Sequence, residues 1–257
     1  MSELHIPIDP LNPGQFFACC GLLELTAFHC DGVLAHFEAD EATPRRASFV
    51  LDSDTPLELP KLLRGLRDSE ITLVEGQEES TRPVTLHLSG RAMTLDWWLD
   101  EFRTDTTNLK CWAGQVTTRK LLGDLLALVK PDTDPCKFFV TAELSKSKFG
   151  VDPRSAWNAL DFGFSPDAHN RDASTYPMVE VLAAIGLQGF RPDARRRHRI
   201  EYYLWTSPLP VEVARLAAVA AWEGLPRFEY EFSIAKRGQS YKFFTFAEYI
   251  ERKAYYQ

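Results

Sequence analysis

The sequence lacks any apolar run near the ~20 residues that a helix needs to cross a bilayer. Its start, Met1-Ser-Glu-Leu-His5, has no basic segment followed by an apolar stretch. No membrane span and no export signal are therefore expected, and cytoplasmic residence is the default. Cysteine is sparse too: five residues, an odd number, with no Cys-x-x-Cys spacing, which argues against zinc and disulfide frameworks. Cys19 and Cys20 are adjacent in an apolar segment and read as small hydrophobes, while Cys30, Cys111 and Cys136 are scattered. Also missing are the phosphate-cradling Gly-x-x-x-x-Gly-Lys, the dinucleotide Gly-x-Gly-x-x-Gly, the nucleophile elbow and the paired-histidine zinc helix. An enzyme would have no motif to stand on, and neither a cofactor nor a resident metal is expected. Excess positive charge is absent as well, since the net charge is −7, unlike a free-standing nucleic-acid binder with a broad basic face.

What is present is the composition of an ordinary globular chain, 257 residues with 45% hydrophobic and 25% charged. Charge is unevenly spread. Residues 1–80 hold 5 Lys/Arg against 15 Asp/Glu, and the remaining 24 and 21 leave residues 81–257 at +3. An acidic first third joined to a mildly basic remainder suits a subunit with one face toward protein and another toward phosphate.

The stretch Asn108 to Val129 organises the chain. Leu121, Leu122, Leu125, Leu126, Leu128 and Val129 repeat as one face of a buried helix, with a threonine of the Thr117–Thr118 pair placed to cap it. Lys110, Trp112, Gln115, Arg119 and Lys120 then gather around a helix N-terminus, where free N–H groups and the helix dipole favour an anion. These residue types could hold a nucleic acid. Alternatively Trp112 is core, and Arg119 and Lys120 are a solvated first turn.

Further elements follow from period and punctuation. Strands are expected at His5–Asp9, Val33–Phe37, Ala47–Leu51, Ile71–Val74, Val84–Leu88, Lys137–Glu143, Ile200–Thr206 and Phe228–Ala235, with Tyr241–Phe246 pairing back on the last. Helices are expected at Gln15–Phe28, Leu57–Leu66, Pro177–Leu187 and Pro210–Trp222, and in the tail from Ala247 to Tyr255. Asn12 and Gln15 could offer amides to a ligand, although capping and turn formation explain them as well. Met93–Phe102 reads as helix or strand. Its adjacent Trp97 and Trp98 cannot share one face of a strand, which leaves one of them available to a partner. The fold class is α+β, a mixed and largely antiparallel sheet packed by several amphipathic helices, in a single compact domain over 1–257 with a subdivision near 105 or 150 as the alternative.

Two clusters carry possible chemistry. Asp161, Asp167, His169 and Asp172 form the only concentration of metal-ligating or acid–base groups, the types a divalent-metal nuclease uses. They meet no known ligand spacing, and aspartates also favour turns. Arg195, Arg196, Arg197 and Arg199 are four arginines in five positions and point to phosphate contact, with solvated loop or ion-pairing to the acidic first third as the alternatives. Lys236, Arg237 and Lys242 flank a basic hairpin turn and join the same nucleic-acid-binding set.

Three segments in series resemble one family: Ile6-Pro-Ile-Asp-Pro-Leu-Asn-Pro-Gly-Gln-Phe-Phe-Ala-Cys-Cys-Gly-Leu-Leu-Glu-Leu25, Lys110-Cys-Trp-Ala-Gly-Gln115, and Tyr176-Pro-Met-Val-Glu-Val-Leu-Ala-Ala-Ile-Gly-Leu-Gln-Gly-Phe-Arg-Pro192. Trp205-Thr-Ser-Pro-Leu-Pro210 adds to the likeness, and Val116 departs from it where a second glutamine is expected. The family is the CRISPR-associated small large-subunit-like proteins of type I-U (I-G, Dpsyc) loci. The resemblance implies a non-catalytic subunit of a type I RNA-guided DNA-targeting antiviral effector complex. Its partners would be other effector-complex subunits, guide RNA, target DNA and a separate helicase–nuclease, without a membrane. The rival readings are a metal-dependent nuclease and a purely structural adaptor.

Overall fold

A computed structural model describes residues 2–40, 42–43, 45–74, 82–100, 105–113, 116–156, 173–196, 198–219, 226–237 and 241–251. The chain opens with strand β1 (Ser2–Ile8), helix α1 (Pro13–His29) and the strands β2 (Val33–Ala39) and β3 (Ala47–Ser53). β3 lies between β1 and β2 and is antiparallel to both, so β1 and β2 run parallel and α1 is the crossover between them. Alternation sets the register: Ile6, Ile8, Val33, Ala35, Phe37, Phe49 and Leu51 are buried, while intervening residues of β1 and β2 reach solvent.

Next come helix α2 (Leu59–Arg67) and the meander β4 (Glu70–Leu73), β5 (Val84–Leu88) and β6 (Arg91–Leu95). Leu59, Leu63 and Leu66 form the buried stripe of α2. Ser89 and Gly90, both at positive φ, make the two-residue turn between β5 and β6. Helix α3 (Thr118–Leu126) follows, then the short pair β7 (Glu143–Ser145) and β8 (Ala173–Thr175), and helix α4 (Pro177–Gly189). Strand β9 (Ile200–Trp205), helix α5 (Val211–Ala218) and strand β10 (Arg227–Phe232) lead to the hairpin β11 (Ile234–Arg237) and β12 (Tyr241–Phe244), and to β13 (Glu248–Tyr249) on the edge of β10. The α+β class is thus observed, with antiparallel pairing throughout the described sheets.

Two helices form the centre. Asn12 caps α1 by accepting from the Gln15 N–H at 3.3 Å, and Pro13 occupies the first turn, where its missing donor costs nothing. Residues Pro13 to Thr26 of α1 and Pro177 to Leu187 of α4 are all buried. These two helices are covered on every side along those residues and not on one apolar face alone, and the polar groups Gln15, Glu24 and Glu180 buried on them are hydrogen-bonded. They meet backbone to backbone. A Cβ at Gly21 would fall 1.8 Å from the Leu182 carbonyl oxygen, and one at Gly186 would fall 2.0 Å from that of Phe17.

A polar network closes over this contact. Glu180 of α4 is fully buried and accepts from the backbone N–H groups of Phe149 at 2.7 Å, Gly150 at 3.1 Å and Asp152 at 3.3 Å. Asp152, equally buried, accepts from the Asn12 amide at 3.0 Å and pairs with Arg154 at 2.6 Å. The Arg154 guanidinium lies 3.5 Å over the Tyr176 ring. Asn12 and Gln15 therefore serve the fold: one caps and braces, and the other accepts from the Asp9 N–H at 2.8 Å.

Several expected elements are corrected. The strand expected at Lys137–Glu143 is absent up to Ala142, and only its last residue begins β7. Asp134 accepts from the Cys136 N–H at 2.9 Å and starts a 3-10 turn at Pro135–Lys137, which buries the consecutive Phe138 and Phe139 as a one-faced strand could not. Phe228–Ala235 is broken at Ser233, whose N–H is taken by the Thr245 hydroxyl at 3.0 Å, so the hairpin partner of β12 is β11. The start of the tail is strand β13, held by Tyr249 packing 5.5 Å from Tyr230, while 252–257 lie outside the described residues. Neither Trp97 nor Trp98 is available to a partner, since both are fully buried in the turn after β6.

Replacing Gly186 by alanine should destabilise the protein by about 3 kcal/mol or more, because carbonyl backbone and not a movable side chain occupies the space. An unchanged urea midpoint would contradict the backbone contact. The Glu180 carboxyl is pushed up to about 7, first by burial and then by the Asp152 carboxylate. A carboxyl raised in the folded state contributes stability that is complete below its unfolded value near ~4.3 and lost as pH rises to about 7. The stability of the protein relative to its Glu180→Gln variant should therefore fall by on the order of 3 kcal/mol between these limits and be flat above. Denaturant titrations across pH test it, and a difference that does not vary with pH would remove the raised carboxyl from the account.

Candidate nucleic-acid interface

The segment from Arg191 to Arg199 leaves the end of α4 and enters β9. It is pinned at both ends. Phe190 is fully buried and stacks on Trp205 at 6.0 Å, Pro192 is buried, and Ile200 is buried as β9 begins. Between these anchors the backbone bonds locally: the Arg195 N–H donates to the Asp193 carboxylate at 3.0 Å, and the Arg199 N–H donates to the Arg196 carbonyl at 3.0 Å. The Asn108 amide donates to the Ala194 carbonyl at 2.6 Å, and the Ser233 hydroxyl donates to that of His198 at 3.0 Å. Anchored below and braced on two sides, the segment holds Arg195, Arg196 and Arg199 exposed.

These arginines border a trough. A cleft of about 680 Å³ is lined by Asp193, Arg195, Arg196, Arg199, Glu201, Tyr203 and Val219. An adjoining depression of about 730 Å³ shares Asp193, Arg195 and Val219 with it and extends past Arg191 to Asn108 and Thr106. The walls carry both signs. Asp193 binds Arg195 at 2.6 Å, Arg199 lies 3.0 Å from both Glu201 and Glu231, and Arg191 lies 3.3 Å from Asp96. Hydrogen bonding from the Arg195 guanidinium holds the Asp193 carboxyl below the ordinary range, and bonding to Glu201, with Glu231 beside it, raises Arg199 above its usual value. The Arg195 pair faces solvent and the Arg199 pairs are partly exposed, so these are worth little as stability terms, whereas Arg191–Asp96 is mostly buried. Tyr203, a lining residue only 4% exposed, donates its hydroxyl to Glu201 at 2.8 Å, and Arg227 covers its ring at 4.3 Å. Burial first, and then that bond, push its phenol well above the usual value.

The other expected contacts are distributed differently. Trp112 is 7% exposed and meets Trp97, Trp98 and Phe149 edge to face at 5.4–5.6 Å, so its ring is core and is not presented as a stacking platform. Lys110 is 8% exposed with its ammonium 5.5 Å from the Trp112 ring centre. Packing thus withdraws Lys110 and Trp112 from the surface where a strand would lie. Thr117 caps α3 by accepting from the Lys120 N–H at 3.3 Å, as its position suggested. Arg119 and Lys120 are exposed on that first turn, Lys120 paired with Asp124 at 2.7 Å. Lys236 is exposed opposite the half-buried Lys242 in the β11–β12 register. The Lys242 N–H donates to the Cys111 carbonyl, which seats this hairpin against the same 108–112 stretch that braces the trough. Gln115, Arg197, the Arg237 side chain, and Asp161, Asp167, His169 and Asp172 lie outside the described residues.

Among the described residues no group of three or more His, Cys, Asp or Glu is placed to hold a metal, and no helix is long and apolar enough to cross a membrane. None of the five cysteines is in a disulfide, and burial pushes the Cys19 and Cys20 thiols well up, away from reactive thiolate. The sequence matches no family model, and comparisons with curated proteins and with solved structures find no match.

Sequence reasoning found the arginines but missed the carboxylates beside them. Asp193 two residues before Arg195, and Glu201 two after Arg199, were readable as local pairs, whereas Glu231 reaches Arg199 only through the pairing of β10 with β9. The position of Trp112 gives a test. Trp112→Ala should cost about 3–5 kcal/mol in unfolding free energy, as for other large aromatic truncations in a core. A loss under 1 kcal/mol would return the ring to the surface.

Proposed function

We propose that this chain is a non-catalytic subunit of a type I CRISPR RNA-guided DNA-targeting effector complex, contributing to recognition of target DNA or its flanking motif and to assembly. Its partners in this reading are the other effector subunits, guide RNA and target DNA, with strand cleavage left to a separate helicase–nuclease. Guide pairing supplies most sequence specificity, and the protein's share is backbone and flanking-motif contact. One observation carries the reading: a segment pinned at both ends holds Arg195, Arg196 and Arg199 out on the wall of a cleft of about 680 Å³. Guanidinium is the group best suited to phosphate oxygens, and a fixed backbone lowers the entropy lost when it binds. The resemblance carried by residues 6–25, 110–115 and 176–192 supports the assignment to effector complexes. The acidic first 80 residues, net −10, suit contact with a basic neighbouring subunit.

Recovery of the tagged protein from its source should bring down companion subunits with RNA. Binding to labelled DNA should weaken linearly as log[salt] rises. Replacing Arg195, Arg196 and Arg199 together by alanine should reduce that slope by about 2, at roughly 0.7 per single-strand phosphate contact, with folding intact. Labelled DNA and RNA incubated with Mg²⁺ should stay uncut. A slope unaltered by the triple substitution would refute the interface, and a metal-dependent product lost in Asp167→Ala would establish the nuclease instead.

A further inference from the structure

The trough is not a bare cationic surface, and its charge pairing has a consequence for what it admits. The Asp193 carboxylate accepts Nε of Arg195 at 3.0 Å and a terminal guanidinium nitrogen at 2.6 Å, besides the Arg195 backbone N–H at 3.0 Å. Nε of Arg199 lies 3.0 Å from both Glu201 and Glu231. The Arg195 and Arg199 side chains are nevertheless 89% and 54% exposed, so both pairs sit in high dielectric and exchange readily. A lone phosphate entering here must replace a carboxylate that already satisfies the guanidinium, and it then lies beside that displaced negative charge. A strand with a phosphate at every nucleotide replaces several carboxylates in succession, and each contact after the first is intramolecular. At about 680 Å³ the cleft has the size of a small-ligand pocket, which an extended strand can enter more readily than a duplex. Among the described lining residues the one aromatic, Tyr203, is buried under Arg227, which favours backbone phosphates over bases as what is gripped there.

We propose that Asp193, Glu201 and Glu231 form a latch on Arg195 and Arg199, which makes the trough bind isolated phosphates weakly and admit a nucleic-acid single strand with little regard to its sequence. This rests on the nucleic-acid interface proposed above and adds the class of strand and the means of selection. The carboxylates are specificity-determining residues: they lower affinity for every anion, and only a multivalent one overcomes them.

Full-length protein carrying Asp193→Asn, Glu201→Gln or Arg195→Ala is titrated with a labelled single-stranded oligonucleotide. Inorganic phosphate, a nucleoside monophosphate and a duplex of the same sequence serve as competitors. Wild type should hold the single strand against phosphate and monophosphate and prefer it to duplex. Asp193→Asn and Glu201→Gln should each tighten strand binding by roughly two- to fivefold, and phosphate should now compete. If those two variants bind no more tightly while Arg195→Ala weakens binding, the latch is wrong and the interface stands. If Arg195→Ala also leaves binding unchanged, or no form binds, the interface itself is wrong and the latch falls with it. Equal or better binding of duplex overturns the single-strand assignment.

Discussion

Backbone contact between α1 and α4 is the constraint on which the other parts of the molecule depend. Helices normally pack 8–10 Å apart with side chains between them, and here the absence of a Cβ at Gly21 and Gly186 lets the chains touch. The consequences spread outward. Burying α1 on every side brings Phe16 against Phe37 of β2 at 5.6 Å and Tyr202 of β9 at 4.5 Å, which ties the first sheet to the second. The Trp205 indole N–H donates to the Ala35 carbonyl at 2.7 Å along the same seam. Glu24 of α1 sits against Gly189, where a Cβ would fall 1.9 Å from its carboxylate, and takes a bidentate bond from Arg215 of α5 at 2.6 Å. The end of α4, and with it the departure of the arginine segment, is thereby fixed relative to both sheets.

Charge in the protein falls into two kinds with different physics. Asp152, Glu180 and Glu24 are withdrawn from water, and each is satisfied by several directed hydrogen bonds, because an unpaired buried carboxylate would be far too costly. These groups are fixtures of the fold. The carboxylate–arginine pairs around the trough are solvated, contribute little to stability and exchange partners at small cost. That contrast is why the proposed contact with a polyanion is assigned to the trough and not to the buried network. On the proposed reading a chain of net charge −7 could still contact phosphate, because its densest run of arginines lies on this one pinned segment.

Much of the fold was legible in the sequence where a period ran long enough to be unambiguous. The expected strand Val84–Leu88 is β5, Pro177 opens α4, and the threonine ahead of α3 caps it as its position suggested. Errors fell where short-range signals compete. Lys137–Glu143 is apolar enough for a strand, but Asp134-Pro135 imposes a helical turn ahead of it. The close approach of Gly21 to Leu182 joins residues 161 positions apart and leaves no mark within either helix beyond a glycine. At the candidate site the arginine run was visible because composition alone reveals it. The fate of Trp112 was not: an aromatic beside a lysine reads equally as a ligand contact or as core until Trp97, Trp98 and Phe149 are seen to enclose it.

The proposed role is a claim about where nucleic acid touches this chain, so mapping the points of attachment tests it most directly. Photocrosslinking within the assembled complex, followed by mass spectrometry of the nucleotide-bearing peptides, should place adducts in residues 191–199 and in the flanking 106–109 stretch. Adducts confined to the acidic first 80 residues, or a chain that acquires none while its neighbours do, would contradict the trough as the site of contact.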